Sequence, residues 1–363
     1  MIKIPKYLAP DFSLDKFRNS PDAKIGIVDA DGIAPDNYHA TSMYPEYYKL
    51  DGEWRLIEKT RMDCVPVLRD DGSIEATEFR RLRKGDRAIL GRSDDGTDGI
   101  YLHNKGFLSD AGGTDSFAFR GNRSRETGFQ RDYENLADLL RHDKDNGYIV
   151  WVLGPAAVFT EDTRDAMEYI IKNGYAHVVF GGNAVATHDL EGAIFHTALR
   201  QDIKTAENIH NGHYHHLDVI NSVNKEGNIA AAVRKQGLDD GVMCACVRND
   251  VPFVLAASLR DDGPLWDVIN DMSEAQDAMR AHTKNATTVV CLASQLHTIA
   301  AGNLTPSYVV RDGEVRPVFI YAVDISEFVL NKLRDRGSLE VTTIVSNIQD
   351  FMFKLTSLLK DQR

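Results

Sequence analysis

The sequence predicts an α/β protein, with a parallel sheet covered by helices on both faces and a smaller β-rich domain in front of it. Five apolar runs are each too short for a helix and end in small or polar residues: VWVLGPAA (150–157), HVVFGGNAVATHD (177–189), VPFVLAAS (251–258), TTVVCLASQLHT (287–298) and VFIYAVDIS (318–326). Helix-period segments such as DAMEYIIKNG and ISEFVLNKLRDRG follow them, and strand alternating with helix builds a parallel sheet buried on both sides. Upstream the punctuation changes. KIGIVDA, GEWRLIEK, MDCVPVLRDDGSIEA and DRAILGR are separated by Asp-Gly and Lys-Gly-Asp turns, which is how hairpins are written.

These signals divide the 363 residues into a β-rich domain at 1–105, a linker or mobile loop at 106–132, and the larger domain at 133–363. The loop assignment rests on SDAGGTDSFAFRGNRSRETGFQR (109–131), rich in Gly, Ser, Thr and Arg with little periodicity. The amphipathic YENLADLLRHDKDNG (133–147) then leads into the first strand of the sheet.

Composition excludes several classes. Forty-three per cent hydrophobic residues supply a sizeable core, and a net charge of -12 without a basic cluster argues against a nucleic-acid partner. No apolar run reaches the roughly 20 residues a bilayer span requires, and MIKIPKYLAPDFSLDKF lacks the apolar core of a secretory signal. The expected location is the cytoplasm, and the expected assembly a homo-oligomer. Cys64, Cys244, Cys246 and Cys291 make neither a disulfide framework nor a CxxC pair, and Cys244 and Cys246 are read as packing residues.

Open α/β sheets bind ligands at the carboxyl edge of their strands, so the residues ending each run are the candidates. No GxGxxG fingerprint is present, but GPAA (Gly154, Pro155) and GGNA (Gly181, Gly182, Asn183, Ala184) could admit a pyrophosphate, because Gly permits close approach and a following helix offers free N–H groups; the alternative is tight packing at a strand-helix turn. Asp324, ending the VFIYAVD strand, suits a ribose hydroxyl pair or, alternatively, a helix N-cap. In RDDG, Arg260 could clamp a carboxylate while Asp261 or Asp262 receives an ammonium; the alternative is an internal ion pair shaping the turn.

Histidines form the second constellation. His210, His213, His215 and His216 crowd HNGHYHHL, with His188 upstream and His297 downstream, and imidazoles titrating near neutrality suit proton transfer. Metal is not expected, since the spacing matches no recognised zinc pattern and no acidic residue lies within the cluster. Asp189 and Glu191, beside His188, read as a short acidic patch that either aligns a ligand ammonium or favours a helix dipole.

Taken in order, DGIAPDNYHATS, MDCVPV, KGDRAILG, VLGPAAVFT, GGNAVATHDLE, NGHYHHLDVIN, VPFVLAASLRDDGPLWDVINDMSEAQDAMR, LASQLHTIAAGNLTPS and the VDIS/DRGS/IV-N tail resemble the family first labelled by similarity to lysine-oxoglutarate reductase/saccharopine dehydrogenase, over about residues 27–360. Its characterised members are the archaeal-type ornithine cyclodeaminases and the matching domain of cyanobacterial arginine dihydrolase fusions. The resemblance implies a Rossmann-like domain holding NAD, and conversion of L-ornithine, or a similar diamino acid, to L-proline and ammonia. It implies NAD contacts at Asn183, Ala184, Asp262, Ser294, Gln295, Leu296, His297, Asp324 and Asn347. Asp262 thereby moves from substrate to cofactor. Arg260 remains the expected carboxylate clamp, with His213, His215 or His216 managing amine protons and Asp189 or Glu191 aligning the distal ammonium.

The chain departs from the family in its late start, in the 109–131 insertion, and in carrying NGHYHH where GGHRHH is more common, which opens the choice of diamino acid. With no amidinohydrolase domain in front, arginine is not the expected substrate. Two other readings use the same pocket: an NAD(P)-linked amino-acid or opine-type dehydrogenase with net cofactor turnover, and a non-catalytic NAD-sensing module.

Overall fold

The computed structural model describes residues 4–107, 129–259, 261, 263–327, 330 and 340–361. The first region opens with a short helix α1 (Asp15–Arg18), followed by strands β1 (Lys24–Ile27), β2 (Glu46–Leu50), β3 (Glu53–Leu56), β4 (Val65–Leu68), β5 (Ile74–Thr77), β6 (Arg87–Leu90) and β7 (Ile100–Leu102). They form two antiparallel sheets, ordered β1-β6-β4-β5 and β3-β2-β7, packed over Tyr48, Ile57, Ile89 and Ile100. The hairpin punctuation is realised most directly at β4–β5, where Val65 faces Thr77 and Leu68 faces Ile74 across the Asp-Asp-Gly turn.

Helix α2 (Gln130–Asn146) leads into β8 (Ile149–Leu153), α3 (Glu161–Lys172), β9 (Val178–Gly181) and α4 (Asn183–Phe195). A small ribbon, β10 (Thr197–Ala198) with β11 (Gln201–Asp202), turns the chain into three helices, α5 (His215–Glu226), α6 (Ile229–Gln236) and α7 (Val242–Arg248). The chain continues through β12 (Phe253–Ala256), β13 (Val268–Ile269), α8 (Met272–Thr283), β14 (Thr288–Leu292) and α9 (Gln295–Leu304). A hairpin, β15 (Tyr308–Arg311) and β16 (Glu314–Pro317), precedes β17 (Phe319–Asp324), β18 (Glu340–Val345) and the closing helix α10 (Ile348–Lys360).

The main sheet has seven parallel strands in the order β13-β12-β9-β8-β14-β17-β18. Its strands advance one way from β8 and the other way from β14, so the switch point lies between those two. Alternation divides each strand between two cores. Ile149, Trp151 and Leu153 of β8 pack with Leu136, Met167 and Phe351, while Val150 and Val152 pack with Met279, Ala301 and Ile320. Trp151 is fully buried, and its indole N–H donates to the Tyr175 carbonyl at 2.8 Å, which satisfies the polar atom that a buried Trp carries.

The expected runs become β8, β9, β12, β14 and β17, and sequence reading missed the short edge strand β13 and β18. The run at 177–189 is strand only to Gly181, and its second half is the start of α4. The β15–β16 hairpin, also unexpected, docks on the first region through the Tyr308 hydroxyl and the Ile57 carbonyl. No helix among the described residues is long and apolar enough to cross a membrane.

Candidate functional site

The residues expected to hold a nucleotide fall on the carboxyl edge of the sheet: Gly154 after β8, Gly182 after β9, Ser294 after β14, Asp324 closing β17 and Asn347 beyond β18. Two of the glycine positions have different physical causes. A Cβ on Gly154 would sit 1.8 Å from the Ala293 carbonyl oxygen, so glycine is required at the switch point by strand packing. Only a single 3-10 turn, Pro155–Ala157, follows it. After Gly154 the chain therefore offers one turn of 3-10 helix, with fewer aligned N–H groups than a full helix start. At Gly182 a Cβ would meet His297 Cε1 at 3.0 Å, and here the thirteen-residue α4 begins directly, leaving the first-turn amides of Asn183 and Ala184 without intrahelical carbonyls.

His297 ties this edge together. Its Nε2 lies 3.3 Å from the Ala256 carbonyl at the end of β12, an acceptor, so Nε2 carries the hydrogen and Nδ1 accepts from the Ser294 hydroxyl at 3.3 Å. Burial pulls its pKa below the usual histidine value, and the ring is neutral at pH 7. Gln295 and Leu296, by contrast, are exposed. Asn183 is buried, and its side-chain oxygen accepts from the Leu265 amide at 3.1 Å and the Thr187 hydroxyl at 3.2 Å. Asp324 Oδ1 accepts from the Ser326 amide at 2.8 Å and shapes the turn after β17, while Asn347 Oδ1 accepts from the Gln349 amide at 2.8 Å as the N-cap of α10. In the Arg-Asp-Asp-Gly turn, Asp261 accepts from the Ser258 amide at 2.8 Å and shapes its own turn. Arg260 and Asp262 lie outside the described residues.

The acidic patch comes apart on α4. Asp189 and Glu191 sit in its second and third turns rather than at its start, and a spacing of two residues points them to different faces. Asp189 is fully buried: Oδ1 accepts from Arg164 Nε at 3.1 Å and the Val242 amide at 2.9 Å, and Oδ2 from the Met243 amide at 2.7 Å. Burial raises its pKa against the pull of Arg164 and those two amides. Both oxygens are thus committed to joining α3, α4 and the start of α7, and the expectation that Asp189 aligns a ligand ammonium is corrected.

Glu191 turns the other way. His188, three residues back, donates from Nδ1 to Glu191 Oε2 at 2.9 Å, and the Thr197 hydroxyl donates to Oε1 at 2.8 Å. Since that hydroxyl hydrogen is used, Thr197 Oγ1 accepts from His215 Nδ1 at 2.9 Å, which fixes the His215 tautomer. His215 also stacks on Phe195, ring centroids 4.4 Å apart. His216 lies with its ring centroid 5.1 Å from that of His188, and its buried Nδ1 has no hydrogen-bond partner among the described residues. Burial, with His188 adding to it and Glu191 opposing, lowers the His216 pKa. Phe159, from the loop after β8, meets His188 edge-on at 5.4 Å and brings this cluster beside the switch point. His210 and His213 are exposed and outside the network, with His213 against Tyr214. Thr197 and Phe159 carried no sequence signal, because only the packing of α5 on α4 brings the histidine run to Glu191.

Residues 134–355 match the family described as arginine dihydrolase ArgZ-like, C-terminal, Rossmann fold. An ornithine cyclodeaminase of Methanopyrus kandleri is 38% identical over 336 residues, spanning 92% of this chain and 77% of the relative. The chain belongs to the archaeal-type ornithine cyclodeaminase family. A crystal structure from Methanococcus maripaludis S2, described as a conserved putative LOR/SDH protein, superposes with a TM-score of 0.82 at 32% identity, covering 94% of this chain and 98% of that one. The bifunctional arginine dihydrolase/ornithine cyclodeaminase AgrE of Nostoc is 34% identical over 96% of this chain and 48% of its own length. A ternary complex of AgrE with ornithine and NAD+ superposes with a TM-score of 0.59 at 33% identity, over 94% of this chain and 46% of that one. As an ornithine cyclodeaminase relative, the chain carries the Rossmann fold that the family's description names, here as a seven-stranded parallel sheet.

Proposed function

We propose that this chain is an NAD-dependent ornithine cyclodeaminase that converts L-ornithine to L-proline and ammonia. The observation that carries the reading is a strand edge suited to a dinucleotide beside a buried carboxylate, Glu191, held by His188 and Thr197. The residues fit NAD: free amides at Asn183 and Ala184 would take the pyrophosphate, Asp324 the ribose hydroxyls, and neutral His297 the crevice floor between β9 and β12. NAD, when bound, supplies a reversible hydride transfer at Cα, so the overall conversion consumes no cofactor.

The remaining work belongs to the protein. Glu191 receives the distal ammonium, and its buried position strengthens that attraction. His188 and the Thr197–His215 chain hold Glu191 in place and keep protons at defined ring nitrogens. Arg260 is the carboxylate clamp by sequence. Incubation with L-ornithine and catalytic NAD should release proline and ammonia with no lasting change in NADH absorbance. Steady accumulation of NADH would instead identify a dehydrogenase, and NAD binding without turnover of ornithine, lysine or 2,4-diaminobutyrate a sensing module.

A further inference from the structure

We propose that His188, Glu191 and His216 form a binding site for a divalent cation of the zinc class. One ligand atom from each side chain lies within 4.8 Å of the others, so a single ion can reach all three. Two imidazoles and a carboxylate with a fourth position open are the donor set and count of catalytic-type zinc sites. Sequence spacing spoke against metal because HNGHYHH contains no acidic residue and matches no zinc pattern. The fold removes both objections by taking His188 and Glu191 from α4, at a three-residue spacing on one helix face, and His216 from the first turn of α5.

Two independent features point to a cation. The first is charge. Asp189, equally buried, is matched by Arg164, whereas the ion pair described for Glu191 is with His188, which carries charge only when protonated. A buried carboxylate is matched by a cation or a metal. The second is the His216 Nδ1 atom, buried and without a hydrogen-bond partner among the described residues. The surroundings also supply the outer hydrogen bonds that hold metal ligands in place. Thr197 fixes the second Glu191 oxygen, His215 fixes Thr197, and Phe159 walls the His188 ring. His216 and His215 are half-buried beside the exposed His213 and Tyr214, which leaves a route for the ion. Zinc and a substrate ammonium would compete for Glu191; that consequence rests on the proposed reaction, whereas binding of the ion does not.

The test uses the full chain, stripped with a chelator and dialysed against zinc chloride, with bound metal measured by elemental analysis and the site chemistry read from the visible spectrum of the cobalt(II) form. The expected result is about one zinc per chain. Outer partners of metal ligands are worth about 10–100-fold in affinity, so Thr197→Val should weaken binding within that range, and His216→Ala or Glu191→Gln by at least about 100-fold. His210→Ala, an exposed histidine of the same segment, should bind as the parent does. Thermal melting of each variant separates loss of a ligand from loss of the fold. Binding below about one-tenth of an ion per chain, or equal binding in parent, Glu191→Gln and His216→Ala proteins that remain folded, overturns the proposal. Because no turnover is read, an inactive enzyme could still pass, and an active one could fail.

Discussion

Two carboxylates in one helix, Asp189 and Glu191, meet opposite fates. Asp189 faces α3 and α7, where Arg164 and two backbone amides consume its hydrogen-bonding capacity, and Arg164 also reaches Asp240 through Nη1 at 2.6 Å. Glu191 faces a histidine, a hydroxyl and the ribbon after the helix, all partners that can exchange protons. Each is buried, so burial does not separate structure from function here. The partner does. A guanidinium stays charged at any working pH and makes Asp189 a permanent joint, while imidazole and hydroxyl leave Glu191 adjustable.

The largest expected effect breaks the joint. Arg164→Ala strands a fully buried Asp189, and removing one partner of a buried ion pair costs about 3–5 kcal/mol, read as a lower urea midpoint at an unchanged slope. A loss under about 1 kcal/mol would mean that the joint contributes little. Next comes the chemical half. Glu191→Gln, close in size, should melt within a few degrees of the parent yet lose about 1.5–3 kcal/mol in kcat/KM for ornithine, the range of a charge-assisted hydrogen bond. Arg260→Lys should lose a similar amount while NAD still binds, because Lys cannot reproduce the guanidinium fork. If Asp189→Asn and Glu191→Gln changed melting and turnover in the same proportion, the contrast between the two faces would disappear.

Asp324→Ala sharpens the contrast from outside, since it should weaken NAD by about 1–3 kcal/mol in calorimetry and leave the Glu191 network alone. Unchanged affinity would remove Asp324 from the cofactor site. The smallest effect is on pH. Burial lowers the pKa of His177, His282 and His297, so the folded protein binds their protons less tightly than the unfolded chain does. Their contribution is present above the unfolded value of about 6.5 and is lost as the pH falls through the folded values. The melting temperature should therefore decline in mildly acidic buffer, and less steeply in His297→Asn. An identical slope in that variant would show that His297 is already free to protonate.

Five strands of the sheet, the hairpin at 65–77 and the order of elements were legible because apolar runs and turn residues report local periodicity directly. The family was legible too, from motifs in series, and with it the strand ends that line one edge. Edge strand β13 escaped because two residues carry no period, and the closeness of Gly154 to Ala293 could not be placed because Ala293 follows β14, a strand distant in sequence. The separation of Asp189 from Glu191 was likewise invisible while the two read as one acidic patch near a helix start, since a helix sends residues two apart to different faces. What the sequence alone determined is what neighbours in the chain dictate: element type, approximate order and the chemical inventory. Which histidine of the 210–216 run reaches Glu191 through Thr197, and which carboxylate meets Arg164, was decided by the packing of α5, α3 and α7 around α4, because partners for buried charges are chosen by contacts between elements far apart in sequence.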